Sequence, residues 1–213
     1  MSVPEQDTYL GRIRELTRTY LAGGPDCFGA FADLVGLLLR LTVQLGTGGI
    51  VLVPGPRPRD RMIVYGAVGD EASLVPLTNG AFLRLHIVLF RERRGDDFRL
   101  KVEQAVYQYQ LDALGSRWVF RYDYLRQPPD PHPASHLQIR GKLFEAEAGV
   151  YRGMLERTHF PTGRVSIEAV IRLLIEQFGV PANKPQDFWR RVLAESEAEF
   201  ERIAYRPLSG PSR

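Results

Sequence analysis

Three of the protein's four histidines, His132, His136 and His159, fall close together around proline-rich loops, downstream of Arg121 and Asp123. Imidazole is the side chain whose ordinary pKa lies nearest neutral pH, so a pair of histidines can supply both the acid and the base of a proton transfer. Guanidinium groups supply the complementary service of stabilising charge on a phosphate. In that reading His136 and His159 are acid and base and Asp123 orients a histidine, while Arg121, Gln138, Arg140 and Arg164 bind substrate. In the run from His159 to Arg164, the backbone amides, Arg164 and the start of the following helix could together hold an anion such as a phosphodiester. The plainer reading of that run is a turn at Thr162-Gly163 and a helix N-cap at Ser166, which needs no ligand.

A metal is the lesser alternative. His132 and His136 have the spacing of a helical two-histidine zinc pair, but Pro133 and the strand that follows forbid a regular helix there. An ion would have to be assembled from His132, His136, His159 and a carboxylate such as Asp123, and the expectation is a site without a dedicated metal or other cofactor. There is no HExxH, no phosphate-binding loop ending in GKS or GKT, no GxGxxG after a strand and no GxSxG elbow. Metal hydrolase, nucleoside triphosphatase and serine hydrolase readings therefore lose their usual warrant. Cys27 is the only cysteine, which excludes an intrachain disulfide and a four-cysteine zinc site and fits a reducing, cytoplasmic setting. It opens an apolar helix with no histidine near it in sequence, so it reads as a structural thiol.

The chain's 213 residues suffice for one large core, and 28 basic against 25 acidic side chains leave a net charge of only +3. Tight non-specific binding to nucleic acid is not expected from that balance, so any basic patch must be local. Met1 to Arg14 mixes both signs of charge and lacks the apolar stretch of a signal peptide, while Asp33 and Arg40 interrupt the most apolar segment, Phe28 to Leu45. No membrane association is expected.

Tyr9, Ile13, Leu16 and Tyr20 form one stripe of a first helix that stops at Gly23-Gly24, and a second runs from Pro25-Asp26 to about Leu45. The period then becomes extended, with six strands expected at Ile50–Val53, Met62–Ala67, Phe82–Glu92, Phe98–Leu111, Trp118–Leu125 and His136–Arg140. Short turn-forming runs at Gly95-Asp96-Asp97 and Leu114-Gly115-Ser116 make antiparallel hairpins of their neighbours. A weaker helix around Leu143–Glu156 precedes two stronger ones, Ser166–Phe178 with Gly179 as its stop, and Gln186–Tyr205. The fold class is therefore α+β, a mostly antiparallel meander of about six strands flanked by two N-terminal and two to three C-terminal helices. Residues 1–205 read as a single domain and 206–213 as a flexible tail.

Alternation along the strands sorts the candidate residues. Trp118, Phe120, Tyr122 and Tyr124 share one face, the core side, and Arg121 and Asp123 lie on the other. Likewise His136, Gln138 and Arg140 oppose Leu137 and Ile139, so paired strands would place Arg121, Asp123, His136, Gln138 and Arg140 on one surface. A one-sided sheet with a solvated outer face gives the same alternation without any site.

The segments Trp118-Val-Phe-Arg-Tyr-Asp-Tyr, His132-Pro-Ala-Ser-His136-Leu-Gln-Ile, His159-Phe-Pro-Thr and Ser166-Ile-Glu-Ala-Val-Ile resemble the TumE-like toxins of prokaryotic toxin–antitoxin loci. The resemblance covers roughly Phe82 to Phe178, and the two N-terminal helices, the long C-terminal helix and the histidine spacing depart from it. It implies an intracellular protein of a defence or toxin–antitoxin locus, held by an antitoxin and acting on RNA. Two functions from different classes stay open: a metal-independent ribonuclease or phosphodiesterase working through the His/Arg cluster, and a non-catalytic protein-interaction module. A third, a small-molecule binder, requires a cavity between the sheet and the N-terminal helices.

Overall fold

The computed structural model describes residues 3–43, 45–55, 61–68, 71–72, 74–130, 132–141 and 159–204. The helix expected around Leu143–Glu156 and the tail at 206–213 lie outside them. The chain begins with helices α1 (Val3–Ala22) and α2 (Cys27–Thr42). Strands β1 (Gly49–Pro54), β2 (Arg61–Val68), β3 (Glu71–Ala72), β4 (Leu74–Pro76), β5 (Phe82–Arg94), β6 (Asp97–Gln110), β7 (Trp118–Leu125), β8 (Ser135–Ile139) and β9 (Phe160–Pro161) follow. Helices α3 (Ile167–Glu176) and α4 (Gln186–Ala204) complete the described elements. This is an α+β fold, and all six strands expected from the sequence are present.

The strands form one sheet in the order β1-β2-β5-β6-β7-β8-β9, with β3 on β2 and β4 on β5, and every pairing is antiparallel. The three strands the sequence did not announce, β3, β4 and β9, are two or three residues long, too short to display an alternation. Helix α2 ends at Thr42 instead of Leu45, because Val43 is extended and bridges Ala182 while Leu45 bridges Leu77. Hairpin partners Gly95 and Gly115 take positive φ, as tight turns between antiparallel strands require.

One face of the sheet is apolar and covered by helices. Leu83, Leu85, Ile87 and Leu89 point inward from β5 and are fully buried, each worth about 1.5–3 kcal/mol of transfer from water. They join Leu10, Ile13 and Leu16 of α1, Val35, Leu38 and Leu39 of α2, Val170, Ile171 and Leu174 of α3, and Val192 and Leu193 of α4 in one core. The aromatic row of β7 enters this core through Phe120, which packs against Tyr109 and Phe178. Tyr107 and Tyr109 are buried beside it and Tyr122 and Tyr124 partly so, as packing residues. Charged pairs Arg14–Glu195 and Arg18–Glu199 tie α1 to α4 along the rim.

Cys27 is buried at the start of α2, and burial pushes its thiol above the ordinary value, which suits packing and not nucleophilic attack. Among the described residues no helix is long and apolar enough to cross a membrane.

Candidate functional site

The site lies on the other face of the sheet, at the edge formed by β7, β8 and β9. Antiparallel register places His86, Val106, Asp123 and His136 in one row across four strands, and Arg84, Gln108, Arg121 and Gln138 in the next. Directly opposed residues lie about 5 Å apart, so Asp123 meets His136 and Arg121 meets Gln138 without any adjustment of the backbone. The two-residue strand β9 pairs Phe160 with Leu137 and Pro161 with His136, which carries the preceding residue, His159, alongside Gln138. A backbone bond from Leu125 to Ala134 closes the β7–β8 connection, and His132 is held in its turn by a bond from its amide to the Pro129 carbonyl.

The result is a cluster of three imidazoles. Ring centroids lie 4.4 Å apart for His136 and His159, 4.7 Å for His132 and His136, and 4.9 Å for His132 and His159. One ring nitrogen from each histidine lies within 4.8 Å of those of the other two. His136 is the most buried, at 3% exposure, and His132 and His159 are half-buried.

Each ring is anchored through one nitrogen. His136 Nε2 lies 3.4 Å from Asp123 Oδ2, His132 Nδ1 bonds the Pro133 carbonyl at 3.0 Å, and His159 Nε2 bonds the Gln138 side-chain amide at 3.2 Å. The opposite nitrogens of the two strand-borne rings, Nδ1 of His136 and Nδ1 of His159, are buried without a hydrogen-bond partner. Asp123 Oδ2 also accepts from Arg121 Nε at 2.6 Å, and the Arg121 side chain is 44% exposed. Burial holds the His136 pKa below the ordinary histidine value; Asp123 and, least of all, the Pro133 carbonyl oppose that shift, and His159 and His132 add to it. Burial therefore favours the neutral form of His136.

The structure thus brings together His136, His159, Asp123, Arg121 and Gln138 and leaves two candidates apart. Arg140 shares their face but stands beyond the far end of β8, where its guanidinium bonds the Ser116 carbonyl. Arg164 stacks on Tyr124, whose ring projects from the opposite face of β7 to Asp123. The helix start beside it is occupied, because Ser166 Oγ accepts from the Ala169 amide and Glu168 sits in the first turn. Arg164 instead borders a cleft of about 680 Å³ between the inner face and the helices, lined among the described residues by Tyr20, Phe31, Tyr107, Glu168 and Phe200.

His132 is the residue whose place sequence reasoning undervalued. Its spacing to His136 is that of a helical ligand pair, yet a loop and a strand bring the two rings together. The useful signal was the recurrence of histidine on both sides of one proline-rich turn. No protein-family model, no curated protein and no solved structure matches the chain.

Proposed function

We propose that the protein is a phosphodiester-directed enzyme acting on RNA, with its reaction centre at the His136–His159 pair and its anion-binding group at Arg121. The observation that carries this reading is the convergence of three imidazoles beside an aspartate that holds both His136 and an exposed arginine. The two rings lie 4.4 Å apart, close enough to serve one reacting phosphodiester. The neutral ring would take the proton of an attacking ribose hydroxyl, and the protonated ring would deliver one to the departing oxygen. Asp123 fixes the orientation of His136, Gln138 that of His159, and the exposed edge of Arg121 meets the phosphate charge.

The resemblance to TumE-like toxins supports the choice of RNA and adds a cytoplasmic setting and an antitoxin partner to the proposal. Cleavage of a mixed-sequence RNA by the purified full chain is the test. His136→Ala is expected to lower turnover by at least about 100-fold, the usual span for loss of a general acid or base. Full cleavage by a folded His136→Ala protein would remove the reading. Absence of turnover in the wild type, with a partner protein retained by the same face, would leave the interaction module in its place.

A further inference from the structure

We infer that His132, His136 and His159 form a binding site for one first-row divalent cation of the zinc type, through His132 Nε2, His136 Nδ1 and His159 Nδ1. The inference rests on the ring nitrogens; it leaves the phosphodiester substrate in place and replaces the acid–base role given above to His136 and His159. Three neutral imidazoles are the protein ligand set of open zinc sites, in which a water takes the fourth position.

The pattern of hydrogen bonds selects the ligating atoms. His132 Nδ1 faces the Pro133 carbonyl and must carry its proton, so Nε2 presents a lone pair. His136 Nε2 faces the Asp123 carboxylate and is likewise the protonated nitrogen, which leaves a lone pair on Nδ1. His159 Nε2 faces the Gln138 amide nitrogen at 3.2 Å and accepts from it, so ligation through Nδ1 requires the amide to turn its oxygen to the ring, whereupon Nε2 donates and Nδ1 gives up its proton. An aspartate, a side-chain amide and a backbone carbonyl behind three histidines are the outer partners that fix tautomer and ring direction around a metal. Without an ion, two buried nitrogens have no partner, a cost that native proteins seldom carry without use.

Nitrogens about 2.0–2.1 Å from a tetrahedral zinc lie roughly 3.3 Å from one another. One ring nitrogen from each histidine lies within 4.8 Å of those of the other two, so an ion would have to draw the rings closer. With the ion bound, the rings are ligands and not proton carriers. Arg121 would keep its anion-binding place, and the ion would supply Lewis acidity and an activated water for attack on a phosphodiester. The two arrangements use the same nitrogens and exclude each other.

The test is zinc binding by the untagged, chelator-treated full chain, measured by calorimetry and by elemental analysis after dialysis, with Co²⁺ as a spectroscopic substitute. One ion per chain is expected, with cobalt giving the visible absorption of a low-coordinate nitrogen site. His132→Ala and His159→Ala, checked for folding by circular dichroism, should each weaken binding by more than about 100-fold. Asp123→Asn should weaken it by roughly 10- to 100-fold, as loss of an outer partner does. His86→Ala, which removes the fourth histidine, should leave affinity unchanged. Absence of a stoichiometric ion overturns the inference, as does affinity that His132→Ala and His159→Ala leave within a few-fold of wild type. Zinc bound without RNA cleavage supports the site and removes the phosphodiester reading; RNA cleavage by a chain that binds no zinc does the reverse.

Discussion

Asp123 faces His136 across paired strands β7 and β8, and one carboxylate oxygen serves both His136 Nε2 at 3.4 Å and Arg121 Nε at 2.6 Å. The aspartate is thereby the hinge between an exposed cation and a buried imidazole. Its negative charge raises the His136 pKa against the larger effect of burial. Asp123→Asn removes the charge and keeps the shape, so His136 should titrate at still lower pH than in the wild type. NMR titration of the His136 ring protons checks this, and an unchanged or higher pKa would contradict the assigned contact.

Stability should fall as the solution is acidified. Burial depresses the folded-state pKa of His136, and burial with Arg84 depresses that of His86, from an ordinary value of 6.5. In such a window the unfolded chain binds more protons than the folded one, so the contribution is complete above about pH 6.5 and is lost as pH drops toward the folded-state values. Urea midpoints between pH 7.5 and pH 5 should decrease, and His136→Asn should flatten the slope.

Glu168 works in the other direction. It is a buried carboxyl in the first turn of α3, bonded to Ser196, and burial raises its pKa. A raised carboxyl pKa means that the folded state holds a proton the unfolded state gives up. The contribution is therefore lost as pH rises through the folded value. Glu168→Gln, which keeps the partner and removes the charge, should gain stability relative to wild type between pH 5 and pH 8. Thermal midpoints across that range test the sign.

Helix α3 depends on its first residue's neighbour. Ser166 Oγ caps the Ala169 amide, and behind it Val170, Ile171 and Leu174 are fully buried. Ser166→Ala should cost about 1 kcal/mol, and Leu174→Ala about 2–5 kcal/mol because a cavity is left in the core. Chemical denaturation of the two variants gives both values.

Two glycines should respond with opposite sign. Gly23 ends α1 at φ +71, and a β-carbon there would collide with the Phe98 carbonyl of β6, so Gly23→Ala should cost at least about 2 kcal/mol. Gly11 lies exposed within α1 with open space around it, and Gly11→Ala should stabilise by about 0.5–1 kcal/mol. The same denaturation experiment measures both.

Much of the architecture follows from local pattern alone. The stripe of Ile13, Leu16 and Tyr20, the alternation through Leu83, Leu85, Ile87 and Leu89, and the turns at Gly95 and Gly115 each obey a period that a single segment displays, although Leu10 and not Tyr9 is the fully buried residue at the head of the stripe. The same alternation assigns Asp123 and His136 to the polar face, since the side of a strand on which a residue lies depends only on its parity. Which residues meet across strands depends instead on register, and register is a property of pairs. Pairing of β8 with the short β9 sets His159 beside Gln138, and a proline-rich turn folds His132 back onto both; no local period encodes either event. Parity also could not tell that Arg140 stands beyond the end of β8, or that Arg164 stacks over Tyr124 behind the sheet. The chain by itself determined the elements, their faces and the identity of the imidazoles. Only the tertiary structure decided that three of those imidazoles share one center of a few ångströms, because that proximity comes from closing loops and strand pairs across long separations in sequence.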